Sequence, residues 1–106
     1  MNKSDFLDMR NQSTIARFSM ADSKSVAYTK GSDDRLANFR SNADKNGLSE
    51  FKVWNIYAGK HYDAIQAYLQ AGIEGPEGIE GNIDDYQNYL DLLRSMIRDR
   101  NIPEST

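Results

Sequence analysis

The feature that most constrains this chain is the apolar spacing between Ile79 and Ile97. Advancing about 100° per residue from Ile83, the side chains of Ile83, Tyr86, Leu90, Leu93 and Ile97 fall within about 80° of one another. Tyr89, Leu92 and Met96 fill the neighbouring arc, and Asp84, Gln87, Asp91, Arg94, Ser95 and Arg98 share the opposite one. Such a pattern is that of an amphipathic helix with an unusually wide buried face. One carboxylate breaks it: Asp85 lands beside Tyr89, Leu92 and Met96, with Asn88 at the seam. A buried carboxylate needs a partner or a proton, so whatever Asp85 faces becomes a question about function. A second account is local: if the helix begins at Asn82, that residue is the N-cap and Asp85, three later, completes a box-like cap.

The preceding segments read as three further helices. The first is expected near 4–21, with Ser4 as N-cap and Asp5 and Asp8 at the positive end of the helix dipole. Its apolar face is imperfect, because Leu7, Thr14, Ile15 and Phe18 share one side while Phe6 and Met9 lie off it. A polar connector over 22–31 follows. Ser32 can cap a second helix over 33–46, with Asp33 and Asp34 in its first turn and a stripe of Leu36, Phe39 and Ala43. Gly47 stands where a left-handed C-terminal residue is wanted. The third helix, 49–71, carries Trp54, Tyr57, Ala58, His61, Ile65, Tyr68 and Leu69 on its apolar face, with Lys60 on the flank. Gly59 inside it costs about 1 kcal/mol against alanine, a cost that close backbone approach of a neighbour or a ligand would justify. Two Gly-Ile-Glu-Gly copies in the stretch 72–81 read as an irregular loop that returns the chain for a helix over 82–99; its Glu74, Glu77 and Glu80 are either acids that gather a hard cation or a solvated connector that serves the following helix start. Residues 1–3 and 101–106 are expected to be loose.

Four helices with no sustained strand-like alternation predict a single all-α domain. Its architecture is a four-helix antiparallel bundle whose third and fourth helices form the central hairpin. The surplus apolar arc of the last helix predicts a homodimer. With 106 residues the chain buries roughly two-thirds of its unfolded surface. A net charge of -3, with signs mixed along the chain, argues against direct nucleic-acid binding, which needs a basic stripe. No run of apolar residues is long enough to span a membrane, and the opening residues do not suit a signal peptide. The absence of cysteine excludes thiolate metal sites and suits a reducing cytoplasm, while a single histidine excludes a multi-histidine zinc site within one chain.

The motifs Tyr28-Thr-Lys-Gly31, Arg35-Leu-Ala-Asn-Phe39, Val53-Trp-Asn-Ile-Tyr57, Lys60-His61-x-x-Ala-Ile65, Ile79-Glu-Gly81 and Asp85-x-x-Asn-Tyr-Leu90 resemble those of small phage and prophage helical proteins. These are close to the nucleotide modification associated domain type. More distantly the chain is similar to the all-α nucleoside triphosphate pyrophosphohydrolases. The resemblance implies a helical protein of the host cytoplasm that handles a nucleotide or a nucleotide-derived small molecule, often as a dimer. It departs from the hydrolase pattern, since no predicted helix carries Glu-x-x-Glu and the later helix offers Asp85 with Asn88 instead of two carboxylates. Phosphoryl chemistry needs metal or cationic stabilisation of developing charge, so binding without cleavage is the leading expectation.

The candidate ligand-binding residues are Lys30, Arg35, Tyr57, Lys60, His61, Asp85, Asn88 and Tyr89, if the cations and the last helix meet at one mouth of the bundle. Lys60 and Asp85 are expected in one hydrogen-bonded network with His61 or Tyr57. Glu80 and Asp85 are the candidate metal ligands, with magnesium as the ion. Each has a plainer role: His61 as a core histidine, Lys60 as a lysine stem on apolar surface, Arg35 as a balance for Asp33 and Asp34. Two other functions compete. A metal-dependent hydrolase needs Asp85, Asp63 and Glu80 to converge. A phage inhibitor of a host defence protein needs an exposed patch, which the acidic loop or the first helix would supply.

Overall fold

A computed structural model describes the backbone of residues 1–29 and 37–100, and the side chains of these except 20–29, 38 and 100. The described chain is an all-α bundle of four helices: α1 (Lys3–Thr29), α2 (Ala37–Asn46), α3 (Glu50–Ala71) and α4 (Gly78–Arg100). The α3–α4 pair packs most extensively; α2 lies on α3, and α1 lies on α4 and α2.

Local punctuation accounts for most boundaries. Gly47 takes the left-handed conformation with φ 64°, and the Leu48 amide donates to the Ala43 carbonyl at 3.0 Å, closing α2 as a Schellman turn. Two residues on, the Ser49 hydroxyl accepts from the Lys52 amide at 3.2 Å and opens α3. Gly72, left-handed at φ 66°, ends α3 by donating its N–H to the Tyr68 carbonyl. Three boundaries differ from expectation. The α1 cap is Asn2, whose side-chain oxygen accepts from the Asp5 amide at 2.8 Å, not Ser4. The connector expected over 22–31 is helical as far as Thr29: no glycine or proline interrupts residues 3–29, so the polar sequence does not stop the helix. The expected start of the second helix over 33–36 lies outside the described residues.

The third difference matters for the site. Helix α4 begins at Gly78, not Asn82. A turn over 75–78, closed by Gly78 N–H on the Gly75 carbonyl at 3.1 Å, swings Glu74 back. Its Oε1 accepts from the Ile79 amide at 2.9 Å. That carboxylate supplies the N-terminal hydrogen bond and the negative charge a helix start wants. The glycines that suggested irregular structure are absorbed: Gly78 sits at φ 73°, and Gly81 is simply helical.

The core consists of Phe39 and Ala43 of α2, Val53 of α3 and Met96 of α4, with Phe51, Trp54, Tyr57, Tyr89 and Leu92 packed around them. Trp54 fastens the hairpin by donating its indole N–H to the Tyr89 backbone carbonyl at 2.6 Å. At the far end Arg40 of α2 reaches Glu50 of α3 at 3.3 Å and also Asp99 of α4. The first helix is tied more lightly. Arg17 donates to Asn88 at 3.1 Å and Asp91 at 2.8 Å, while Phe6, Met9, Ile15 and Phe18 stay exposed.

Of the two apolar arcs on α4, the one holding Tyr89, Leu92 and Met96 faces the core. Met96 is wholly buried, whereas Ile83 and Leu90 of the other arc are 40% and 45% exposed. Asp85 and Asn82 lie on the buried side, at 7% and 9% exposure.

Candidate functional site

Between the upper ends of α3 and α4 sits a small polar cluster inside otherwise apolar packing. His61 reaches across from α3 to the two buried polar residues of α4. Its Nδ1 lies 3.1 Å from Asn82 Oδ1 and 3.7 Å from Asp85 Oδ2. The Asn82 amide nitrogen donates to the Gly78 carbonyl at 3.0 Å, one helical turn back, which fixes its oxygen towards the imidazole. The ring tautomer with a hydrogen on Nδ1 is the one that can donate to the Asn82 oxygen. Tyr89, one turn below Asp85, lays its ring against the imidazole with centroids 5.4 Å apart and touches Phe39 edge-on at 6.3 Å. The exposed Glu77, on the turn before α4, brings its carboxylate to the same place: donor atoms of His61, Glu77 and Asp85 all lie within 4.8 Å of one another.

This resolves the two accounts of Asp85. With α4 starting at Gly78 and Glu74 serving its first turn, Asp85 belongs to the helix interior. It faces the histidine on the buried side of the hairpin.

The other expected site residues are placed as follows. Tyr57 is half-buried, its ring 5.9 Å from that of Phe39. Lys60, expected in the Asp85 network, is exposed, with its ammonium 5.9 Å from the centre of the Tyr57 ring; His61 is the α3 residue that meets Asp85. Asn88 turns towards α1, where it accepts from Arg17. Lys30 and Arg35 lie outside the described residues. Glu80, expected beside Asp85, is exposed and instead raises the carboxyl of Asp84. Asp63, the remaining acid of the hydrolase expectation, is exposed too. Burial is the main force pushing Asp84 above the ordinary carboxylate value, opposed by Arg17 and reinforced by Asp85 and Glu80.

A second feature occupies the other side of the same hairpin. An open cleft of about 250 Å³ is lined by Trp54, Asn55, Ala58, Gly59, Tyr62 and Tyr86. The Tyr62 and Tyr86 rings stand 6.1 Å apart at 57°. A Cβ added at Gly59 would meet nothing within 4 Å, so no neighbouring element of the described chain explains that glycine. Sequence reasoning did not join Asn82, read as a cap, or Glu77, read with Glu74 and Glu80 on the glycine-rich loop, to His61 and Asp85. It also missed the cleft, although Trp54, Ala58 and Tyr62 recur at the helical spacing of four that puts them on one face.

Among known protein families, curated proteins and solved structures, none matches this chain.

Proposed function

We propose that this chain is a nucleotide-binding protein that holds a nucleotide or nucleotide-derived small molecule without cleaving it. The observation that carries the reading is the cleft of Trp54, Tyr62 and Tyr86. Aromatic walls offer stacking faces to a base, each stacking contact being worth about 1–3 kcal/mol. At about 250 Å³ the cleft falls below the roughly 300–1,000 Å³ of drug-sized pockets, which suits one base-sized planar group. Asn55 at its edge carries both a donor and an acceptor for a base. Gly59 fits as well, because close approach of a ligand to the α3 backbone gives a reason for a glycine that no neighbour among the described residues explains. Non-hydrolytic binding agrees with the exposed positions of Asp63 and Glu80.

Trp54 is the one tryptophan in the chain and is therefore a built-in reporter. Titration with nucleosides and nucleoside phosphates, with and without magnesium, is expected to change its fluorescence saturably. Tyr62→Ala is expected to weaken that binding at least about tenfold. The absence of any response to every common base at millimolar concentration would refute the reading.

A second reading has its own support. Tyr62, Ile83 and Leu90 are exposed, and Ile83 and Leu90 lie within about 60° of Tyr86 around α4. An exposed apolar strip of this kind is suited to a protein surface, as an inhibitor of a host defence protein would require. The two readings separate on the same mutants: a protein partner would be lost in Leu90→Asp with nucleotide binding unaltered.

A further inference from the structure

We infer that His61, Asp85 and Glu77, with the side-chain oxygen of Asn82, form a binding site for one divalent first-row transition ion, of which Zn²⁺ is the reference member. The site is separate from the aromatic cleft and stands whether or not a nucleotide binds there.

Geometry comes first. Donors bound to one tetrahedral ion at about 2.0–2.2 Å sit roughly 3.3–3.5 Å from one another. His61 Nδ1 lies 3.1 Å from Asn82 Oδ1 and 3.7 Å from Asp85 Oδ2, values that bracket that spacing without any rearrangement. Glu77 has its donor within 4.8 Å of those of His61 and Asp85, and an inward movement of roughly 1–1.5 Å brings it to ligand distance. Glu77 is an exposed side chain on the turn before α4. The protein also provides the orienting contact that metal ligands commonly have. The Asn82 amide is held by the Gly78 carbonyl at 3.0 Å, and this aims its oxygen at the imidazole.

Electrostatics points the same way. Two oxygens converge on one ring nitrogen within packing where Asp85 is only 7% exposed. A hydrogen on Nδ1 would serve the Asn82 oxygen at 3.1 Å in the metal-free protein, while the Asp85 oxygen at 3.7 Å lies beyond hydrogen-bond range. A dication replaces that proton with two positive charges, and the ring proton is carried on Nε2 instead, so ligation by neutral imidazole requires no change in the number of protons on the ring. The exposed Glu77 carboxylate then closes the site from the solvent side.

Donor chemistry selects the ion. An imidazole nitrogen among carboxylate and amide oxygens suits zinc, manganese, iron, cobalt or nickel, and disfavours magnesium, which prefers an all-oxygen octahedron. The expected ion was magnesium held by Glu80 and Asp85; the donors brought together here differ in both members and class.

The test uses the full chain and Zn²⁺ alone. His61 is the only histidine, so its ring gives one set of imidazole resonances. Adding Zn²⁺ is expected to shift or broaden that set, with calorimetry reporting one ion per chain. The same concentration of Mg²⁺ is expected to leave it unmoved. His61→Gln is expected to lower Zn²⁺ affinity at least about 100-fold, and Glu77→Gln about tenfold. Because Asp85→Asn and His61→Gln touch buried packing, circular dichroism first establishes that each is folded. Glu77→Gln alters an exposed side chain and keeps the test decisive if those two do not fold. An imidazole signal indifferent to Zn²⁺, or Zn²⁺ binding that survives Glu77→Gln undiminished, would overturn the inference.

Discussion

Replacing Met96 with alanine separates the two apolar arcs of α4. Met96 is fully buried in the core with Phe39, Ala43 and Val53. Truncation removes three side-chain heavy atoms, a transfer loss of about 2 kcal/mol at roughly 0.8 kcal/mol per methylene-sized group. If the surroundings do not collapse, a void of about 70 Å³ adds roughly 1.5 kcal/mol at about 24 cal/mol per Å³. The expected cost is therefore about 3.5 kcal/mol, inside the range of about 2–5 kcal/mol for such truncations. A domain of this size has only about 5–15 kcal/mol in total. Leu90, on the neighbouring arc, is already 45% exposed, so Leu90→Ala should cost about 1 kcal/mol or less. Urea unfolding followed by circular dichroism measures both; at a slope of about 1–2 kcal/mol per molar, the Met96 midpoint falls by about 1.7–3.5 M. A Leu90→Ala loss equal to or larger than that of Met96→Ala would mean that the wrong face of α4 has been assigned to the core.

Three further outcomes are expected. Removing the carboxylate that starts α4, in Glu74→Ala, should cost about 0.5–2 kcal/mol and speed amide exchange at Ile79, whose N–H it accepts; unchanged exchange there would show that the cap is not formed in solution. Burial raises the Asp84 carboxyl above its ordinary 3.8 against the opposing Arg17 and with the help of Asp85 and Glu80. Its folded value then exceeds its unfolded one, so the favourable contribution present below 3.8 is lost as pH rises through the folded value. Asp84→Asn should therefore stabilise the protein at neutral pH, with the advantage shrinking as melts are taken down towards 3.8; an advantage that grows on acidification has the wrong sign. Finally, the half-exposed Ile83 and Leu90 are expected to be covered in a homodimer. Sedimentation across micromolar concentrations should then report a dimer that Leu90→Asp dissociates, and a monomer throughout would show that the strip serves something else.

The site was half legible before folding. Asp85 was conspicuous because a carboxylate interrupts the apolar arc of Tyr89, Leu92 and Met96, and His61 because it sits amid the apolar face of the third helix. Asp85 was expected in one network with Lys60 and with His61 or Tyr57, and how each stands towards it was not legible, because the loop before α4 leaves the register of the hairpin open. One step of 100° along α3 decides between them: His61 turns into the hairpin and Lys60 out towards the face of Tyr57. Asn82 and Glu77 were not joined to His61 and Asp85, because glycine-rich sequence suggested that helix could not begin before residue 82. The Glu74 carboxylate reverses that by capping Ile79.

What the sequence by itself determined are the features that depend on a few neighbouring residues. The α2 stop at Gly47, the Ser49 start of α3 and its end near Gly72 all follow from hydrogen bonds spanning three to five positions. Those bonds need only the right residue at the right offset. The tertiary structure alone decided which arc of α4 is core and which cation or histidine answers Asp85. Each depends on the height and rotation of one helix against another. Those are set by the summed packing of distant side chains, such as the Trp54 indole on the Tyr89 carbonyl, and no local period encodes them.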